Sequence, residues 1–275
     1  MKFLNIVKAL VYREFIFIRN NIGEYVVLSF ISIFFAISII GIAISVGGTS
    51  KFIHRFIQIF QVSNNISLSK IVAALISLSG LLSIVADIVG SVSQIVIYEI
   101  NFTEVIYMIA QSVDLYLYYM AYALVSGIIS SIVSTIYLIP TLLIVSNLSG
   151  LFTYLILLPI FIITGIALAY YTLIISLPVA LILNVKRPWI ISQVFVPAII
   201  AGTGIFIPIN FVPIFIRILA YTTPLPEICI ILQNLLLKNT IVKSMIIIFV
   251  ILLTLYISTS VVVSLKSDKY IRRGL

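Results

Sequence analysis

The chain has 275 residues, of which 63% are hydrophobic and only 9% charged, and its mean hydropathy is +1.31. A soluble core of this length needs far less apolar surface, so a lipid bilayer is the solvent, and spans rather than domains are to be counted. The net charge of +8 is spread among short loops and both ends instead of one patch, which argues against nucleic acid, and the single cysteine, Cys229, can build neither an internal disulfide nor a metal cluster.

Residues 2–22 read as an amphipathic helix lying in the membrane surface. Asn5, Lys8, Tyr12 and Arg19 recur on one side at helical spacing, while Phe3, Ile6, Val7, Leu10, Phe17 and Ile18 gather on the other. Lys2, Lys8, Arg13 and Arg19 run through this stretch, so it does not read as a cleavable signal peptide. Glu14 interrupts the apolar side and is read as a partly solvated charge near Arg13 or Arg19 in preference to a contact with a partner. A first span is expected over residues 25–46, ended by Gly47, Gly48 and Thr49. In the amphipathic segment that follows, Lys51, His54, Arg55, Gln58 and Gln61 face away from Phe52, Phe56, Ile59 and Phe60, as suits an interface.

The second span, residues 71–98, is the most polar. Ser77, Gly80, Ser83, Asp87, Ser91 and Gln94 fall three or four positions apart and so share one helix face. A carboxylate at this depth costs about 2.5 to 3.5 kcal/mol on insertion scales, so Asp87 should face the bundle interior or water. Two readings stay open: a helix contact satisfied by neighbouring hydroxyls, or a substrate pathway built from Ser83, Asp87, Ser91 and Gln94.

Residues 99–114 form a connection with three acids and neither lysine nor arginine. In the third span, residues 117–138, Ser126, Ser130 and Ser134 make a stripe with Gly127 and Ser131 beside it, a small-residue pattern that lets helices approach closely. The fourth span, residues 153–183, carries Pro159, Gly165 and Pro178 and should be tilted or kinked. A basic turn with Lys186 and Arg187 leads through Trp189 to the fifth span, residues 190–206. Residues 208–237 stay apolar but are broken by prolines into pieces too short to cross, which suggests two re-entrant helices. The sixth span, residues 245–265, is almost wholly aliphatic and ends in a charged tail.

With six spans and the N-terminus inside, the inner side holds Lys2, Lys8, Arg13, Arg19, Lys186, Arg187, Lys266, Lys269, Arg272 and Arg273, ten of the sixteen basic residues. The positive-inside rule therefore favours a multi-pass protein of the cell membrane with both termini, and the acidic connection, in the cytoplasm.

This order of parts resembles that of type-2 ABC transporter permeases: an elbow helix, six spans, a cytoplasmic loop after the second span, and a proline-marked pair of short helices before the sixth. Arg13 and Glu14 sit where such permeases often carry a basic and acidic pair. Glu99, Thr103 and Glu104 resemble the loop signature that begins the helix docking on the ATPase, although Phe102 stands in the place of the family's glycine. Pro208, Pro213, Pro224 and Leu225 resemble the spacing near the end, with Pro226 and Glu227 replacing the usual hydroxyl and aromatic. Thr103 followed by Glu104 is independently suited to cap a helix and place negative charge in its first turn.

The sequence has no glycine-rich phosphate loop ending in lysine and a hydroxyl residue. The resemblance therefore implies a separate ATPase subunit that binds ATP and magnesium, a second permease subunit (a copy of this chain or a similar one), and export as the direction. It implies no catalysis by this chain. Rival classes are a secondary transporter or channel, for which Asp87 is nearly alone as an intramembrane charge, and a membrane-embedded lipid-modifying enzyme, for which Asp87, Glu99, Glu104 and Asp114 are too separated to hold metal and phosphate. The aliphatic and hydroxyl lining fits lipid, drug, peptide or glycan-lipid cargo alike.

Overall fold

In bilayer hydrocarbon a backbone must satisfy its own polar groups, and long aliphatic runs do so as helices. The structure, a computed structural model, describes residues 2–60, 66–101, 103–187, 189–204, 209–238, 240 and 242–274, together with most of their side chains. All regular structure among these residues is helical.

The elements are α1 (Lys2–Asn20), α2 (Ile22–Phe60), α3 (Leu68–Asn101), α4 (Thr103–Ser112), α5 (Leu115–Thr135), α6 (Leu138–Ser146), α7 (Leu148–Leu181), α8 (Trp189–Gly202), α9 (Ile214–Tyr221), α10 (Leu225–Gln233) and α11 (Lys243–Gly274). A 3-10 turn at Ile209–Phe211 precedes α9, and a π turn at Asn234–Lys238 extends α10. Among the described residues, four segments are long and apolar enough to cross a membrane: Leu68–Asn101, Leu115–Ser146, Leu148–Leu181 and Lys243–Arg272. The pair formed by α9 and the extended α10, bent by 92°, makes up to five.

The expected six spans are therefore matched only in part. Most side chains of the first expected span lie outside the described ones, but its backbone is helical within α2. That helix is broken at Gly48, where φ of +75° suits glycine and strains other residues. Beyond the break, Phe56 packs on Ile71, Ala74 and Leu75 of α3, while Lys51, His54, Arg55 and Gln58 are exposed, but Ile59, expected on the apolar face, is exposed as well; Gln61 lies outside the described residues. The fifth expected span is shorter than its hydropathy suggested. With 14 residues, α8 reaches about 21 Å against the roughly 30 Å of a hydrocarbon core. Helix α7 is helical through both Pro159 and Pro178, and its 34 residues, about 51 Å, exceed one crossing.

Helix α3 is the most enclosed, surrounded by α2, α5, α6, α7 and α8, whereas α11 is the least enclosed of the four long apolar segments. Small residues bring α5 onto α7. A Cβ at Gly127 would lie 2.7 Å from the Ile166 Cα, and one at Gly165 only 1.7 Å from the Ser131 Oγ. The expected stripe of Ser126, Ser130 and Ser134 is buried, as is Ser131 beside it, and the Ser131 and Ser134 hydroxyls each donate to a carbonyl four residues back.

Two ends of the bundle follow from the contacts. At one, called here the basal end, Arg13 of α1 meets Glu99 at the close of α3, the Asn101 side chain donates to the Val185 carbonyl beyond α7 (3.0 Å), and Arg272 of α11 lies 3.7 Å from Asp114 before α5. The start of α3, the junction of α6 with α7 and the π turn share a cleft at the other.

Candidate functional site

The basal end is built on one arginine. The Arg13 guanidinium donates from Nη1 to the Tyr118 hydroxyl (2.8 Å) and to Glu99 Oε1 (3.4 Å), and from Nη2 to Glu14 Oε1 (3.1 Å). The Tyr118 hydroxyl in turn donates to the same Glu99 oxygen at 2.6 Å. Arg13 also lies over the Tyr122 ring, 4.9 Å from its centre, where the ring's negative face favours a cation. Burial works against the charge on Arg13, but Tyr118, Tyr122, Glu14 and Glu99 more than offset it, and its pKa is raised above the ordinary arginine value.

Helix geometry explains how these groups meet. Ile6, Leu10 and Glu14 are spaced four apart and form the buried stripe of α1, while Leu4, Tyr12, Phe15 and Phe17 remain exposed. Glu14 is thus 8% exposed and ion-paired, which corrects its reading as a partly solvated charge. Glu99 was placed at the start of a polar loop, yet α3 continues to Asn101 and leaves Glu99 in its last turn, 5% exposed. Its second oxygen, Oε2, is enclosed and has no hydrogen-bond partner among the described residues. Two carboxylates thus share one arginine in a partly buried site.

Helix α4 begins two residues after α3 ends, with Thr103 at its start and Glu104 in its first turn; the side chains of both lie outside the described ones, as does Phe102. Its other end, with Gln111 and Ser112, borders a cavity of about 240 Å³ lined also by Asp114, Ile6 of α1 and Arg272 of α11. The short helix packs chiefly on α3, with Ile6 of α1 and Arg272 of α11 across that cavity.

The polar face of α3 divides. The Ser83 hydroxyl pairs with the Tyr137 hydroxyl at 2.9 Å, and Ser77 donates to the Ala73 carbonyl, so both serve packing. Asp87 is half-buried, faces Ser130 of α5, and has an enclosed Oδ2 without a hydrogen-bond partner among the described residues. The Ser91 hydroxyl donates to the Ile88 carbonyl of its own helix (3.4 Å), and Gln94 is exposed. The face thus grades from packed to open toward the basal end. Arg13, Glu14 and Glu99 are brought together, whereas Ser83, Asp87, Ser91 and Gln94 stay on one helix face without forming one site.

Sequence reasoning missed Tyr118, Tyr122 and Tyr137. Tyrosines at 118 and 122, four apart in the opening turns of a span, were a usable signal, because a buried phenol needs a polar partner. Among the expected proline positions, Pro213 caps the start of α9 and Pro224 that of α10, and Pro208 lies outside the described residues. No family model, no curated protein and no solved structure matches the chain.

Proposed function

We propose that this chain is the membrane-spanning subunit of an ATP-driven exporter of the type-2 ABC kind, working in the cell membrane as a pair of permease subunits with separate ATPase subunits. The observation that carries the reading is the charge cluster of Arg13, Glu14, Glu99 and Tyr118, which fastens a surface-lying helix to the turn of α3 immediately before α4. Force applied to α4 then reaches α1, α3 and α5 at once, as coupling of ATP binding to the spans requires. The broken pair α9 and α10 before α11 fits the same order of parts. On this reading ATP and magnesium are bound by the partner, and Asp87, Ser91 and Gln94 lie on the face that lines the pathway, with Ser83 as its packed end.

Replacing Glu104 by Lys reverses a charge in the first turn of α4 and removes a favourable dipole interaction of about 0.3 to 1 kcal/mol together with any pairing to a basic cleft. The measurement is co-purification of an ATPase from native membranes and its substrate-stimulated hydrolysis, with Lys269→Glu in the exposed tail of α11 as the control. Glu104→Lys should lose both, and Lys269→Glu neither. Equal retention and stimulation in both variants rejects α4 as the dock, and no ATPase with the unsubstituted chain rejects the permease itself.

A further inference from the structure

At the end of the bundle opposite Arg13, an open cavity of about 610 Å³ lies between the first turns of α3, the junction of α6 with α7, and the π turn after α10. Its lining has two parts. Ala73, Ala74, Ile156, Leu157, Leu235 and Leu236 make an apolar wall, and Lys70, Ser146 and Asn147 stand among polar neighbours. Among the described residues, Lys70 is the one charged residue that lines it, and no carboxylate does. Among the described residues its ammonium has neither an ion pair nor a hydrogen bond, and the Ser146 hydroxyl and Asn147 side-chain amide are likewise unengaged. By contrast, the Ser149 and Thr153 hydroxyls are already given to the Ser146 and Ser149 carbonyls.

The backbone holds this arrangement open. Asn147 adopts a positive φ of 53°, which turns the chain between α6 and α7 within one residue, and the π turn widens α10 where Leu235 and Leu236 meet the cavity. Single π turns recur where a helix has been adapted to a function. A lysine at a membrane interface ordinarily extends into headgroups or water. Here it stands at a cavity within the 300–1,000 Å³ range of small-molecule sites, with uncommitted donors and an apolar wall.

We propose that this cavity binds one anionic amphiphile, its phosphate held by Lys70, Ser146 and Asn147 and the first part of its chains lying against Leu235, Leu236 and Ile156. The anion could be a membrane lipid's headgroup or a soluble phosphate ester, and the apolar wall assigns the lipid. The site stands whether or not the chain works with an ATPase.

The test uses the purified full chain in mild detergent, with native mass spectrometry counting retained phosphatidylglycerol, phosphatidylcholine or glycerol 3-phosphate. Phosphatidylglycerol should be retained at least about fivefold better than phosphatidylcholine, the factor that one lysine contributes toward an anionic headgroup. Glycerol 3-phosphate should be retained hardly at all. Lys70→Gln should abolish the preference, Lys70→Arg should restore it, and Ala73→Trp, which fills the cavity, should lower retention of both lipids. Lys243→Gln, exposed at the start of α11 and outside the lining, should change nothing. Equal retention by the Lys70→Gln and Lys243→Gln variants overturns the proposal, as does equal binding of the two lipids. Glycerol 3-phosphate bound as tightly as phosphatidylglycerol overturns the lipid assignment.

Discussion

With Arg13 between Glu14 and Glu99, removing the cation leaves two carboxylates facing one another in a partly buried site, whereas removing Glu99's charge relieves that repulsion and keeps an acceptor for Tyr118. Breaking a buried pair costs about 3–5 kcal/mol, but the Arg13 side chain is 38% exposed, so screening reduces the loss to roughly 1–2 kcal/mol. Thermal unfolding of the reconstituted chain should therefore place Arg13→Gln well below Glu99→Gln in stability, with the double variant less destabilised than the sum of the two. Additive effects would mean that the two side chains do not act as a unit. The arginine and its neighbouring acid were legible in the sequence, because a charged pair in an amphipathic helix stands out. Burial of Glu14 was not, since its counterpart Glu99 is 85 positions away and only the packing of α1 on α5 brings them together.

Between elements, the crossing of α5 and α7 depends on two residues without side chains. The Cβ distances at Gly127 and Gly165 leave no room even for a methyl group, and the atoms they would meet are largely backbone. Gly165→Val should force the helices apart and destabilise the bundle by about 1–3 kcal/mol, the usual cost of overpacking. Gly90→Ala on α3, where nothing lies within 4 Å, should leave the thermal midpoint unchanged or slightly raised. Equal effects at both positions would remove the close approach as the reason for glycine at 165. This contact was legible in part. The spacing of Gly127, Ser130, Ser131 and Ser134 marked the face of α5, while nothing in the sequence named α7 as its partner. The lengths of helices were less legible. Hydropathy continues through residues 190–206, but α8 closes at Gly202, and the same measure does not register the break at Gly48 inside α2. Hydropathy reports the solvent around a segment and is nearly blind to backbone conformation.

For the whole molecule, the two ends differ in what they gather. The basal end joins α1, the turn after α7 and the tail of α11, and with them Lys8, Arg13, Arg19, Lys186, Lys269 and Arg272. The cavity end carries Lys51, Arg55, Lys70, Lys238 and Lys243. The proposed function needs the first end in the cytoplasm, the side on which the positive-inside rule expects the larger basic share. Single cysteines test this. Ser149 and Thr240 are exposed near the cavity end, and Lys269 is exposed on the tail of α11, whereas Ser267 beside it is buried and would label poorly for that reason alone. Cys229 is 1% exposed, so it can remain in place as the unreactive background, and replacing it would risk a cavity in the core. An impermeant thiol reagent should label Ser149→Cys and Thr240→Cys in intact cells and Lys269→Cys only after permeabilisation. Labelling in the opposite order reverses the orientation and moves the Arg13 cluster outside, where no ATPase could dock. Labelling of Ser149→Cys and Lys269→Cys from the same side would separate the sequence-based topology from the arrangement of the two ends, and with it the argument that α4 faces the cytoplasm.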